Sequence, residues 1–151
     1  MSNNIKLSNL RLEDIKIIEN HFIINPDVPF KEWDGPTPIN VSPSFQVHDQ
    51  DESIGRVIIE VKLFDKDFDE NKYPFFLKTV ILGQFKMSDH EEGNIIDQYG
   101  INMTSMLLPY ARSYIAALTG LAGIDAIHIP AINVMRLFEE LEDEEETNEL
   151  D

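Results

Sequence analysis

The stretch RVIIEVKLF, Arg56 to Phe64, decides the fold. Two-residue alternation puts Val57, Ile59, Val61 and Leu63 on one face. Ile58, Glu60, Lys62 and Phe64 fall on the other, which is half wet. One dry face and one mixed face is the pattern of an antiparallel strand covered on one side. On its C-terminal side, DKDFDENKYP reads as a polar hairpin connection. PFFLKTVILGQFKM (Pro74 to Met87) then reads as the partner strand, with Gly83 as a bulge site. On its N-terminal side, HDQDESIG (His48 to Gly55) is a turn and Ile39 to Val47 a strand. Pro43 within that strand argues for an edge position or an interruption. Before it, NPDVPFKEWDGPTP holds four prolines and a glycine in 14 residues and reads as an ordered surface loop. From Ile5 to Ile24 two-residue spacing recurs with phase slips, as in a long strand with a bulge or break. A helical turn over Arg11 to Ile18 is the alternative. Four strands joined by turns suggest an antiparallel meander.

The second half is helical. Asn102 or Thr104 caps a helix running to about Leu118. Leu107, Leu108, Ala111, Tyr114, Ile115 and Leu118 keep the spacing of one helical face. Pro109 is placed near the first turn, and Gly120 at the C-terminal cap. Asn133 caps a last helix from Val134 to about Glu145, with Val134, Leu137, Phe138 and Leu141 on one stripe. Acids at the end of that helix oppose its macrodipole, so its end is expected to fray. The connector between the helices is the puzzle. Surface loops are normally polar, yet this one carries Leu121, Ile124, Ile127, Ile129 and Ile132.

The 151 residues suit one domain, and 42% apolar content is enough for a core without disulfides or metal. The absence of cysteine fits a reducing, cytoplasmic setting. The polar start MSNNIKLSNLRLED does not read as a signal peptide, and no apolar run is long enough to span a bilayer. A soluble protein is expected. The net charge of −16 is concentrated at one end: residues 139–151 hold nine acids and no base. That balance repels phosphate backbones, so nucleic acid is excluded as a partner and a basic polypeptide segment is favoured. The tail also reads simply as a solvated helix end.

Nothing in the sequence assembles a catalytic centre. His21, His48, His90 and His128 fall in separate elements, and the glycines are isolated. Asp89-His90-Glu91-Glu92 and His48-Asp49 read as solvated turns, because adjacent loop residues point apart. No cofactor or metal is implied, and the chain reads as non-enzymatic.

Five segments in register resemble the SecB export chaperones. They are Leu108-Pro109-Tyr110-Ala111-Arg112, Ile129-Pro130-Ala131-Ile132-Asn133, Leu137-Phe138, Phe30-Lys31-Glu32-Trp33, and Phe76-Leu77 with Gly83-x-Phe85. The resemblance implies an α+β fold: a four-stranded antiparallel sheet followed by two C-terminal helices packed on one face. It implies one domain over residues 1–138, with residues 139–151 an acidic tail that is frayed or disordered. It also implies an ATP-independent chaperone that assembles as a homodimer or homotetramer and holds unfolded polypeptides or preproteins in an apolar groove. The apolar connector would then be a wall of that groove. The implied peptide-binding residues are Trp33, Phe85, Met106, Tyr110, Leu121, Ile124, Ile127, Ile129, Leu137 and Phe138. Alternatives stand beside several. Ile127 and Ile129 would otherwise cover the sheet, Trp33 would anchor its loop, and Met106 would fill a gap. Tyr110 and Tyr114 would sit in the core or an interface, and Phe64 and Phe76 would pack between subunits. In the family, acids on the exposed sheet surface dock SecA. Here the matching strand-one stretch reads Glu19-Asn20-His21-Phe22-Ile23-Ile24, with apolar residues where an acid is expected, and Phe76-Leu77-Lys78-Thr79 has Thr79 at the acid position, which argues against a SecA contact. A SecB-fold protein serving one dedicated partner, such as an antitoxin or a secretion component, is the alternative function.

Overall fold

A computed structural model describes residues 9–65, 67–88 and 92–149. The expected strand start at Ile5 and Leu7, and Asp89, His90 and Glu91, lie outside the described residues. Four strands form one antiparallel sheet: β1 (Leu10–Ile24), β2 (Ile39–Val47), β3 (Ile54–Leu63) and β4 (Phe75–Met87). Two helices follow, α1 (Ile95–Leu121) and α2 (Val134–Glu149). Among the described residues no helix is long and apolar enough to cross a membrane.

The strand order is β1-β4-β3-β2. β2, β3 and β4 form the expected meander, but β1 crosses over to pair with β4 rather than with β2. The Pro-rich loop carries that crossover, with a short 3₁₀ turn at Phe30–Glu32. Phase slips in β1 are real: its register shifts between Leu12 and Asp14 and again between Ile17 and Glu19. β1 is a strand throughout, so the helical alternative at Arg11 to Ile18 is excluded. Gly83 is not itself an irregularity, since it pairs in sequence with Ile15 and Val57. Its role is close approach: a Cβ there would lie 2.9 Å from Leu107 Cδ1.

Val57, Ile59, Val61 and Leu63 are buried beneath α1, as the alternation required. β4 adds Phe75, Leu77, Ile81 and Phe85 to that face, and α1 supplies Ile95, Met103, Leu107 and Ile115. Thr79, also fully buried, donates its hydroxyl to Asn20 Oδ1 at 2.7 Å. Phe64 is buried within the chain. It takes φ 60°, a left-handed backbone that costs a bulky residue about 1–2 kcal/mol. That turn drives its ring among Trp33, Tyr73 and Phe75, with centroids 4.9–5.4 Å away.

α1 starts earlier than the sequence pattern suggests. Asn94, not Asn102 or Thr104, is the cap, accepting from the Asp97 amide at 3.0 Å. Pro109 therefore lies mid-helix. It cannot donate to the carbonyl of Ser105, but both residues are exposed, so water reaches that group. The helix persists because its other face buries Leu107, Leu108, Ala111 and Ile115. Its left-handed terminator is Gly123 (φ 94°), and Gly120 is still helical. At α2, Asn133 caps as expected, its Oδ1 accepting from the Arg136 amide at 3.1 Å. The structure carries this helix to Glu149, past the expected end near Glu145.

β2 is an edge strand, as Pro43 implied. Pro38 accepts from the Phe64 amide, and the His48 amide donates to Ile54. Both bonds lie on the diagonal that joins Asn40 to Lys62 and Ser42 to Glu60. Alternate residues of an antiparallel strand bond to the same neighbour. Even-numbered residues of β2 therefore face β3, and Ile39, Val41 and Pro43 turn their backbone polar groups outward. Pro43 lacks its N–H at a position where the ladder does not need one.

Candidate functional site

The apolar connector is fastened down through its backbone. Thr119, fully buried on α1, accepts from the Ile127 amide at 2.9 Å while donating to the Ile115 carbonyl. Arg112 Nε donates to the Ile129 carbonyl at 2.9 Å. These bonds satisfy polar groups that a buried loop would otherwise leave open. They also direct Ile127 (8% exposed) and Ile129 (2%) into the core. The expectation that these two form an open groove wall is corrected: they cover the sheet.

The connector nevertheless borders an open furrow of about 410 Å³. One wall is the outer part of β2, Ile39 to Ser42. The floor is Ile129, Pro130 and Ile132, and the far wall is Leu137, Glu140, Leu141 and Glu144 of α2. Ile39 is 39% exposed, and Val41, Ile132, Leu137 and Leu141 are half-buried. The furrow is thus mixed: Ile39, Val41, Ile132, Leu137 and Leu141 give it apolar surface, and Asn40, Ser42, Glu140 and Glu144 give it polar surface. No base is among the residues that line it.

Of the ten residues expected to bind peptide, Leu137 and Ile129 line this furrow, Ile129 with little surface to spare. Phe138 anchors α2 instead: its ring lies 5.4 Å from that of Phe45 and beside Gly100. Phe85 is fully enclosed in the sheet–helix core and is corrected to a core residue. Trp33 is an anchor, edge-on to Phe64 and Tyr73, with its Nε1 donating to the Pro36 carbonyl at 3.3 Å. Met106 and Tyr110 are exposed on α1 and do not line the furrow. Leu121 is almost bare at the end of α1, and Ile124 is partly packed on the core. Sequence reasoning missed Ile39, Val41, Leu141 and the two rim acids. Pro43 marked the edge strand and Leu141 stood on the α2 stripe, but nothing local brought the two elements together.

A larger hollow, about 660 Å³, opens at the β2–β3 turn around Gln46, His48, Arg56 and Gln84. It is polar and gathers no catalytic set. Among the described residues, no group of three His, Cys, Asp or Glu side chains could hold a metal.

The sheet face away from the helices has mixed charge. Lys78 Nζ sits 3.3 Å from Glu19 and 3.4 Å from Glu60, and His21 Nε2 lies 2.9 Å from Glu19. Hydrogen bonds from His21 and Lys78 hold the Glu19 carboxyl below its ordinary range. The bond to Glu19 raises Lys78 in turn. Such exposed pairs add little stability, but they neutralise the surface. Ile18 and Ile23 of β1 remain about half exposed.

A family model described as preprotein translocase subunit SecB matches residues 23–145. Uncharacterized protein MJ0357 of Methanocaldococcus jannaschii is 26% identical over 144 residues, covering 95% of this chain and 88% of that protein. Among solved structures, the Mycobacterium tuberculosis Rv1957 SecB-like chaperone superposes with a TM-score of 0.62 at 15% identity. That match covers 82% of this chain and 88% of the other, which was solved in complex with a ChAD peptide from the Rv1956 HigA1 antitoxin.

Proposed function

The chain belongs to the SecB family, and we propose that it is an ATP-independent chaperone of the cytoplasm that holds extended apolar polypeptide segments in the furrow between β2 and α2. The observation that carries this reading is the furrow itself, with apolar side chains on both walls and an edge strand along one side. Unfolded chains expose aliphatic and aromatic side chains, and each Å² removed from water is worth roughly 25 cal/mol. A shallow apolar surface makes few shape demands, which suits varied clients. The structural neighbour, of the same fold, binds a peptide segment from another protein. Binding rather than catalysis is the role this supports.

The test is aggregation of a denatured model protein. Stoichiometric amounts of the chaperone are expected to suppress light scattering without ATP. A well-folded oligomer that leaves aggregation unchanged would overturn the proposal.

A second reading, one dedicated partner, is favoured by the outer sheet face. Where the family's acids dock SecA, this face carries Lys78 tied to Glu19 and Glu60. Delivery to SecA is therefore not part of the proposal. A pull-down returning one protein, an antitoxin or a secretion component, rather than a spread of nascent chains, would select this second reading.

Self-association belongs to the same proposal. Ile18, Ile23, Met106 and Tyr110 expose large apolar surface on the sheet and on α1. Symmetric pairing is the commonest way to cover such surface. Light scattering is expected to give a homodimer or homotetramer at micromolar concentration, and a monomer would contradict it.

A further inference from the structure

A chain with 28 acids and 12 Lys and Arg has few bases to spare. On the sheet face away from the helices, Lys16, Lys62 and Lys78 each sit 3.2–3.9 Å from a carboxylate. Arg11, Arg56 and Lys86 share that face, and among the described residues no acid forms an ion pair with any of them. Their direction follows from their neighbours. Leu10 and Leu12, Gly55 and Val57, and Phe85 and Met87 turn to the core, so the residue between each pair turns outward. Arg11 stands directly opposite Lys86 across β1 and β4, and Arg56 stands opposite Gln84, two residues along. Like charges placed opposite one another weaken a sheet. Their juxtaposition therefore opposes the fold slightly and leaves a cationic corner on an acidic protein.

The hollow at the β2–β3 turn includes Arg56 and Gln84 in its lining, so it opens on this corner. It is arranged to donate. Arg56 Nε gives its hydrogen to Gln84 Oε1 at 3.4 Å. Among the described residues, that leaves the terminal guanidinium nitrogens and the Gln84 amide N–H groups without a partner. His48 Nδ1 accepts from the Gln50 amide at 3.1 Å, so its neutral ring carries the proton on Nε2. Asp49 is the one carboxylate among the lining residues. Asp51 lies within electrostatic reach of Lys86, but its carboxylate is engaged by the Ser53 amide and hydroxyl, as Asp14 is by Lys16. We propose that this corner is a second binding site, which takes an acidic polypeptide segment with one carboxylate on Arg56 in the hollow and another on Lys86. The guanidinium fork matches a carboxylate in shape as well as charge. Arg56 and Lys86 lie on a diagonal of neighbouring strands, about 7–8 Å apart at the backbone. Acids at alternate positions of an extended segment are about 6.6 Å apart, which fits that step. A short acidic segment feels only the local field, whereas a long phosphate backbone meets the net charge of −16. The furrow uses the other end of β2, Ile39 to Ser42, so the inference does not rest on what fills it.

The probe is a seven-residue peptide blocked at both ends, with threonine at odd positions and glutamate at even ones. Its control carries glutamine in place of each glutamate. Both bear an uncharged dye and are titrated by fluorescence anisotropy at low salt. The glutamate peptide is expected to bind at least about tenfold more tightly than the glutamine one. Arg56→Gln should weaken it about fivefold and Lys86→Gln about threefold, with circular dichroism melts close to that of the parent, because both side chains point out of the core. No binding of the glutamate peptide, equal binding of the two peptides, or unchanged binding in Arg56→Gln overturns the proposal. Unchanged binding in Lys86→Gln alone overturns the two-carboxylate contact. A thymidine oligonucleotide that binds through Arg56 more tightly than the glutamate peptide would assign the corner to phosphate and overturn it as well. If light scattering shows that Arg56→Gln shrinks the protein's own assembly, the acids of a second copy fill the corner and the proposal fails.

Discussion

Phe85→Ala is expected to cost about 3–5 kcal/mol of folding free energy. Phe85 is wholly buried on β4, opposite Leu12 and Gly55 in the neighbouring strands. Its ring lies beside Gly83, where Leu107 of α1 also packs close to the backbone. Removing the ring leaves a cavity that strands on both sides and a helix above are too tightly packed to close. Domains of this size are stable by only about 5–15 kcal/mol, so the loss is a large share of the total. Urea unfolding should show a lower midpoint at an unchanged slope. A cost below about 1 kcal/mol would mean that this face of β4 is open, as a groove residue would require.

Aspartate substitutions should separate the core of the connector from the furrow. Ile127→Asp places a carboxylate where 8% of the side chain is exposed and where Thr119 fixes the backbone. An uncompensated buried charge costs on the order of 3–5 kcal/mol, so this variant should be largely unfolded. Leu137→Asp sits half-buried in the first turn of α2, where an acid favours the helix dipole. It should lose less than about 1 kcal/mol of stability but at least about tenfold in client affinity, because it wets the furrow wall. Circular dichroism melts beside peptide titrations read both. Equal loss of folding and binding in Leu137→Asp would place that side chain in the core.

The strands were legible because alternation is a property of neighbouring residues. Val57, Ile59, Val61 and Leu63 are apolar at every second position, and no other element makes that pattern meaningful. Pro43 pointed to an edge or an interruption, because a missing donor is tolerable only where no ladder bond is needed, and the strand order selects the edge. The cap at Asn133 was legible for a similar local reason. The early turns of α1 were not. Gly100 looks like a helix breaker until the ring of Phe138 packs beside it. Pro109 looks like a helix start until burial on the opposite face outweighs a lost hydrogen bond.

By itself, then, the order of residues determined which segments extend, which coil, where one edge of the sheet must lie, and that the connector is greasy. Only the tertiary structure decided that β1 pairs with β4, because alternation says which way a side chain faces and not which strand lies alongside. It also decided which isoleucines are sealed. Thr119 and Arg112 hold the connector from a helix many residues earlier, turning Ile127 and Ile129 inward and leaving the furrow to Ile39, Val41 and α2. Those contacts join residues distant in the chain, and no local periodicity encodes them.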